Sequence, residues 1–134
     1  MRVTADTNIY ISALNFGGPP AEILRLAAEG DIRLSISSEI IGEVIETLRR
    51  KFLWPDGRIE DLRRTLGEIA ELVVPTVRID LVDDDPDDNR ILECAHAARA
   101  DFIVTGDKDL LRIGTYDSTP ILTVAEFLRR RSAE

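Results

Sequence analysis

Apolar residues recur along this chain at two periods that take turns, and the alternation predicts strands and helices in succession. Residues 2–5, Arg-Val-Thr-Ala, read as a first strand closed by Asp6-Thr7-Asn8, after which Ile9, Ile11, Ala13 and Leu14 open an apolar segment. Gly17-Gly18-Pro19-Pro20 interrupts it. Over 21–29, Ile23, Leu24 and Ala27 share a helical face, with Pro20 near the first turn and Gly30 as the C-terminal cap. Residues 32–36 supply a second short strand, and the hydroxyls of Ser37 and Ser38 are placed to cap a helix reaching about Lys51. Beyond the turn Trp54-Pro55-Asp56-Gly57, the spacing of Ile59, Leu62, Leu66, Ile69 and Leu72 predicts one long helix that ends before Pro75 and pairs antiparallel with its predecessor.

The second half repeats the rhythm. Val77, Ile79 and Leu81 alternate as a strand would, Ile91, Leu92, Ala95 and Ala98 mark a helix, and Phe102-Ile103-Val104 is a short run of the buried parallel kind. Pro120-Ile121-Leu122 reads as a last strand, and Thr123 caps a closing helix with Val124, Phe127 and Leu128. This order predicts a single-domain α/β sandwich over 1–134 with a largely parallel sheet and right-handed crossovers. No internal repeat, low-complexity tract or linker breaks the pattern.

Composition bounds the function. At 134 residues, 44% hydrophobic and 31% charged, the chain suffices for one buried core. Its formal charge of -8 argues against gripping nucleic acid by bulk basic charge, so any polyanion would need local help. Cys94 is the only cysteine, which rules out an internal disulfide. The opening Met-Arg-Val-Thr-Ala-Asp lacks an apolar signal core, and no apolar run approaches the roughly 20 residues of a membrane span, so the expectation is a cytoplasmic protein with no membrane partner.

The chemistry lies in carboxylates from four separated segments. Asp6 follows the first strand, and Asp107 falls just past 102–104, at the sheet edge where ligands bind in open parallel folds. Asp88 sits at a helix N-terminus. On the helix after Ser38, Glu43 borders the stripe of Ile40, Ile41, Val44, Ile45 and Leu48, whereas Glu39 and Glu46 point away from it. Clustered carboxylates raise one another's pKa unless a cation neutralises them, and oxygen ligands without a Cys or His partner select Mg²⁺ or Mn²⁺ over zinc. Such ions activate water for in-line attack on phosphorus. His96 is then not needed as a base and is expected to be exposed or helix-flanking.

Other acidic motifs fail on the same residues. A calcium loop starting at Asp83 would need glycine where Asp88 stands and glutamate where Cys94 stands. No glycine begins a phosphate-binding loop. An aspartyl-phosphate enzyme with Asp6 as nucleophile remains a distant alternative, since the second acid expected two residues on is Asn8.

Taken together, Asp6-Thr7-Asn8, Ser38 with Glu43, Asp85-Pro86-Asp87-Asp88-Asn89 and Val104-Thr105-Gly106-Asp107 before Lys108-Asp109-Leu110-Leu111 resemble the PIN-domain nucleases. The resemblance is closest to single-domain prokaryotic members that serve as toxins of toxin–antitoxin pairs, and it covers nearly the whole chain. It implies a PIN-like three-layer α/β/α sandwich and a divalent-metal-dependent endoribonuclease that cuts single-stranded RNA. The catalytic and metal-holding residues it implies are Asp6, Glu43, Asp88 and Asp107, supported by Asn8 and Thr105, with Asp109 as a further addition. Its implied partners are Mg²⁺ or Mn²⁺, single-stranded RNA, an antitoxin protein and a second copy in a homodimer. The same fold also includes RNA-processing nucleases and catalytically silent binding modules.

Each remaining charge has a plainer reading too. Asp83 to Asp87 are expected to form a solvated loop that complements a helix dipole, Asp87 above all. Arg49-Arg50-Lys51 and Arg129-Arg130-Arg131 suit phosphates, or merely the C-terminal ends of helices. Trp54, beside Phe52 and Leu53, belongs either to the core or to a partner-binding edge.

Overall fold

In the computed structural model, which describes residues 1–133, the strands are β1 (Arg2–Ala5), β2 (Arg33–Ile36), β3 (Ala70–Leu72), β4 (Phe102–Val104), β5 (Thr115–Tyr116) and β6 (Thr119–Leu122). They form one sheet in the order β3-β2-β1-β4-β6-β5, parallel throughout except for the β5–β6 hairpin. The flanking helices are α1 (Thr7–Phe16), α2 (Gly18–Ala28), α3 (Ser38–Phe52), α4 (Asp56–Ile69), α5 (Asp87–Ala98), α6 (Lys108–Ile113) and α7 (Val124–Ser132). This is the expected PIN-like α/β fold with a largely parallel central sheet.

Three consecutive residues are buried in both β1 and β2, which requires cover on both faces of the sheet. Val3, Ala5, Leu34, Ile36, Ile103 and Val104 supply the strand side of the core, and Ile40, Val44 and Leu48 of α3 and Ile91, Leu92 and Ala95 of α5 pack into it. Local signals set several boundaries. Ser37 Oγ accepts from the Ile40 N–H at 3.3 Å to start α3, and Thr123 starts α7 in a reciprocal capping box with Glu126. Past the end of α2, Gly30 takes φ +81°, where any side chain would be strained.

Two expectations are corrected. The helix predicted to run through Leu72 stops at Ile69, and residues 70–72 form a strand parallel to β2, with Leu34 opposite Ala70 and Ile36 opposite Leu72. The Ile69–Leu72 spacing fits a helical face, but pairing with β2 satisfies the backbone where the chain turns towards Pro75. Residues 77–81, predicted as a strand, are irregular. Side chains of α5 take up their backbone donors: Glu93 Oε2 accepts from the Ile79 N–H at 2.8 Å, and Asn89 Oδ1 accepts from the N–H groups of Leu81 and Val82 at 2.9 and 2.8 Å. The hairpin strand β5 went unpredicted; its turn holds Asp117 and Ser118 at φ 48° and 69°.

Trp54 turns inward, 8% exposed, with its ring N–H donating to Asn15 Oδ1 at 3.2 Å and the Arg58 guanidinium 3.6 Å from its ring centre. His96 is exposed, with Nδ1 3.5 Å from Asp117. Among the described residues no helix is long and apolar enough to cross a membrane.

Candidate functional site

Strand order reverses around β1, whose neighbours β2 and β4 lead away on opposite sides. In an open parallel sheet this opens a crevice beyond the C-terminal strand ends. Asp6 leaves β1 there, and Thr105 and Asp107 leave β4. Thr105 ties them together: its hydroxyl donates to Asp6 Oδ2 at 2.6 Å and accepts from the Asp107 N–H at 2.9 Å. Asp107 also caps α6, its Oδ1 accepting from the N–H groups of Asp109 and Leu110 at 2.7 and 3.3 Å.

The N-terminus of α5 brings the next carboxylates. One oxygen each from Asp85, Asp88 and Asp107 lies within 4.8 Å of the others. Asp88 is only 4% exposed, and its Oδ2 is buried with no hydrogen-bond partner. Burial pushes the Asp88 carboxyl up to about 8, and the charges of Asp107, Asp85 and Asp6 add to the rise. Asp6 is raised too, chiefly by burial and also by the Asp107 charge, while the Thr105 hydrogen bond pulls it back. On the fourth side, Glu43 Oε2 accepts from the Thr7 hydroxyl at 3.2 Å. Burial raises Glu43, with the Asp87 charge next, and the Thr7 bond opposes them.

A family model for the PIN domain matches residues 2–109 of the chain. The chain belongs to the PIN-domain family. Its fold is also that of a solved structure, VapBC2 from Rickettsia felis bound to a DNA fragment from their promoter, with a TM-score of 0.61 and 17% identity over 92% of this chain and 98% of that chain. No curated protein matches it.

PIN domains are generally nucleases that use divalent metals, and the donor set here fits such an ion. Its oxygens are close together, the Asp88 carboxyl carries a buried oxygen with no hydrogen-bond partner, and no sulfur or imidazole joins them, which suits Mg²⁺ or Mn²⁺. Asp85, Asp88 and Asp107 would hold it, with Asp6 alongside through Thr105.

The other expected residues take different places in this PIN domain. Asn8 is exposed on the first turn of α1, and on the same turn the buried Thr7 hydroxyl donates to Glu43. Asp109 turns its carboxylate to Arg112, at 3.5 Å, and lies outside the set of three. Asp87 is exposed in the first turn of α5.

Three residues escaped the sequence reading. Asp85 was expected in a solvated loop, yet it is half-buried in the carboxylate set, with Oδ1 also accepting from the Asp87 N–H at 3.2 Å. Asn89 and Glu93 position that loop from α5. Asn89 completes its grip by donating to the Val82 carbonyl at 2.9 Å, and Glu93 is 2.8 Å from Arg90 Nη2. Polar residues at the buried i, i+1 and i+5 positions of one helix, Asp88, Asn89 and Glu93, were the available signal.

Proposed function

We propose that this chain is a divalent-metal-dependent endoribonuclease that cuts single-stranded RNA and acts as the toxin of a toxin–antitoxin pair. The observation that carries the reading is the convergence of carboxylate oxygens of Asp85, Asp88 and Asp107 within 4.8 Å, beside a buried Asp88 carboxyl whose Oδ2 has no hydrogen-bond partner. Mutually repelling carboxylates at one sheet edge cost stability unless a cation is their purpose. An ion held there would supply Lewis acidity at a phosphate and lower the pKa of nearby water.

The chain's own residues do the rest. Asp6, fixed by Thr105, and Asp107, fixed as the α6 cap, are held by hydrogen bonds before substrate arrives, which limits reorganisation during the reaction. Glu43, anchored by Thr7 and raised by burial, is suited to take the proton that the attacking water releases. Water adds to phosphorus, one phosphodiester P–O bond breaks, and the leaving oxygen takes a proton from solvent while the one held by Glu43 returns to solvent. No covalent enzyme intermediate is required.

The solved neighbour is VapBC2 bound to a DNA fragment from their promoter, which supports an antitoxin partner here, and a homodimer is part of the same reading. The test incubates highly purified protein with labelled RNAs and matched DNAs beside Asp88→Asn. Cleavage of RNA should stop with chelator, return with Mg²⁺ or Mn²⁺, and be absent in the variant. Cleavage of DNA alone would overturn the RNA assignment, and no cleavage of either under varied metals would favour a binding module.

A further inference from the structure

Positive charge gathers in one groove of a chain whose net charge is -8. The groove, open and about 520 Å³, is lined by Gly42, Ile45, Glu46, Arg49 and Arg50 of α3 and by Arg63 of α4. Gly42 adjoins Glu43, and Glu43, Glu46 and Arg50 follow one strip of α3 at i, i+3 and i+7. Seven residues of helix carry Arg50 about 10 Å along the axis from Glu43. One end of the groove is thus marked by Gly42, the neighbour of Glu43 on α3, and Arg49 and Arg50 lie about two turns further along the same helix.

The dipole of α3 would by itself favour Arg49 and Arg50 near its end. It does not account for Arg63, which lies mid-way along α4 and faces the same groove. Each guanidinium leans on an exposed carboxylate: Arg49 on Asp56 at 3.4 Å, Arg50 on Glu46 at 2.7 Å, and Arg63 on Glu60 at 3.6 Å. Pairs this exposed are weak, and phosphate oxygens match the guanidinium fork, so a phosphate chain would displace the carboxylates. Gly42 lies on open space, where a Cβ would meet nothing within 4 Å.

Resting on the ribonuclease reading above, we infer that this groove is the track for RNA phosphates flanking the scissile one, with Arg49, Arg50 and Arg63 as its clamps. It supplies the local cations that a net-negative protein needs to hold a polyanion, and it fits an unpaired strand that follows a groove by its backbone.

The test measures fluorescence anisotropy of labelled single-stranded RNA with Asp88→Asn protein, with and without Arg50→Gln plus Arg63→Gln, over a range of salt. The two substitutions should weaken binding about tenfold and flatten the log K against log salt slope by about 1.4, from two contacts at about 0.7 each. A control on α7, Arg129→Gln plus Arg130→Gln, changes net charge equally and should weaken binding far less. In the cleaving protein the groove substitutions should raise KM about tenfold on a long RNA, but much less on a dinucleotide too short to reach Arg50. Unchanged affinity and slope, or an equal loss in the α7 control, would overturn the groove even if RNA is cut. Absence of cleavage by the parent protein with the slope difference intact would instead overturn the ribonuclease reading and retain the groove as a phosphate track.

Discussion

Replacing Asp88 with asparagine keeps the shape of the side chain and removes its charge, so it should stabilise the metal-free fold while abolishing metal binding. The folded carboxyl titrates at about 8 and the unfolded one near 3.9. Between those values the folded chain holds a proton that the unfolded chain has released, so stability is highest near pH 4, falls as pH rises, and levels off above about 8. An unscreened group would lose about 1.4 kcal/mol per pH unit, or roughly 6 kcal/mol across the window. Solvent on the open side of the cluster and relaxation of the half-buried Asp85 reduce this to about 2 kcal/mol at pH 8, or about 8 °C in melting temperature for a chain this size. The other carboxylates titrate in both proteins, so the difference between the curves reports Asp88 together with its coupling to Asp107, Asp85 and Asp6. Circular dichroism melts in EDTA from pH 4.5 to 8 should show the two proteins together at the acid end and Asp88→Asn progressively more stable above it. Mg²⁺ at a hundred times its Kd should then add about 2.7 kcal/mol to the wild type alone. Parallel pH curves, or equal stabilisation by Mg²⁺, would refute the reasoning.

Thr105→Val removes the hydroxyl that joins Asp6 to Asp107 and should weaken Mn²⁺ binding about tenfold or more by titration calorimetry with the fold retained; unchanged affinity would mean the bridge does not position the site. Asn89→Ala leaves the Leu81 and Val82 N–H groups without partners and should cost about 2–4 kcal/mol, with faster amide exchange at those residues; slow exchange would show the loop is held elsewhere. Burial pushes the Cys94 thiol up to about 12, so at pH 8 almost no thiolate exists in the native state and a disulfide reagent should react only after unfolding in guanidinium. Rapid labelling of native protein would contradict that burial.

What the residues revealed and what they hid follow from how local each signal is. Asp6, Asp88 and Asp107 each stand at an element end marked within a few residues, by a short apolar run before or a helical face after, and the parallel order then implies a shared edge. The placement of Glu43 on the border of the apolar stripe was legible because that angle needs only its own helix. Leu72 misled because three residues of edge strand offer too little pattern to compete with an i, i+3 match to Ile69, and what decides between them is pairing with β2, more than thirty residues away. Asp85 was obscured for a related reason. A run of aspartates before a helix reads as solvated charge, and only the grip of Asn89 and Glu93 on residues 79–82 shapes the loop so that one of the three before α5, Asp85, turns towards Asp88 and Asp107. The polar residues buried on α5 are thus the link between fold and site. They replace a missing strand ladder, and the loop they hold carries a carboxylate to where β1 and β4 part.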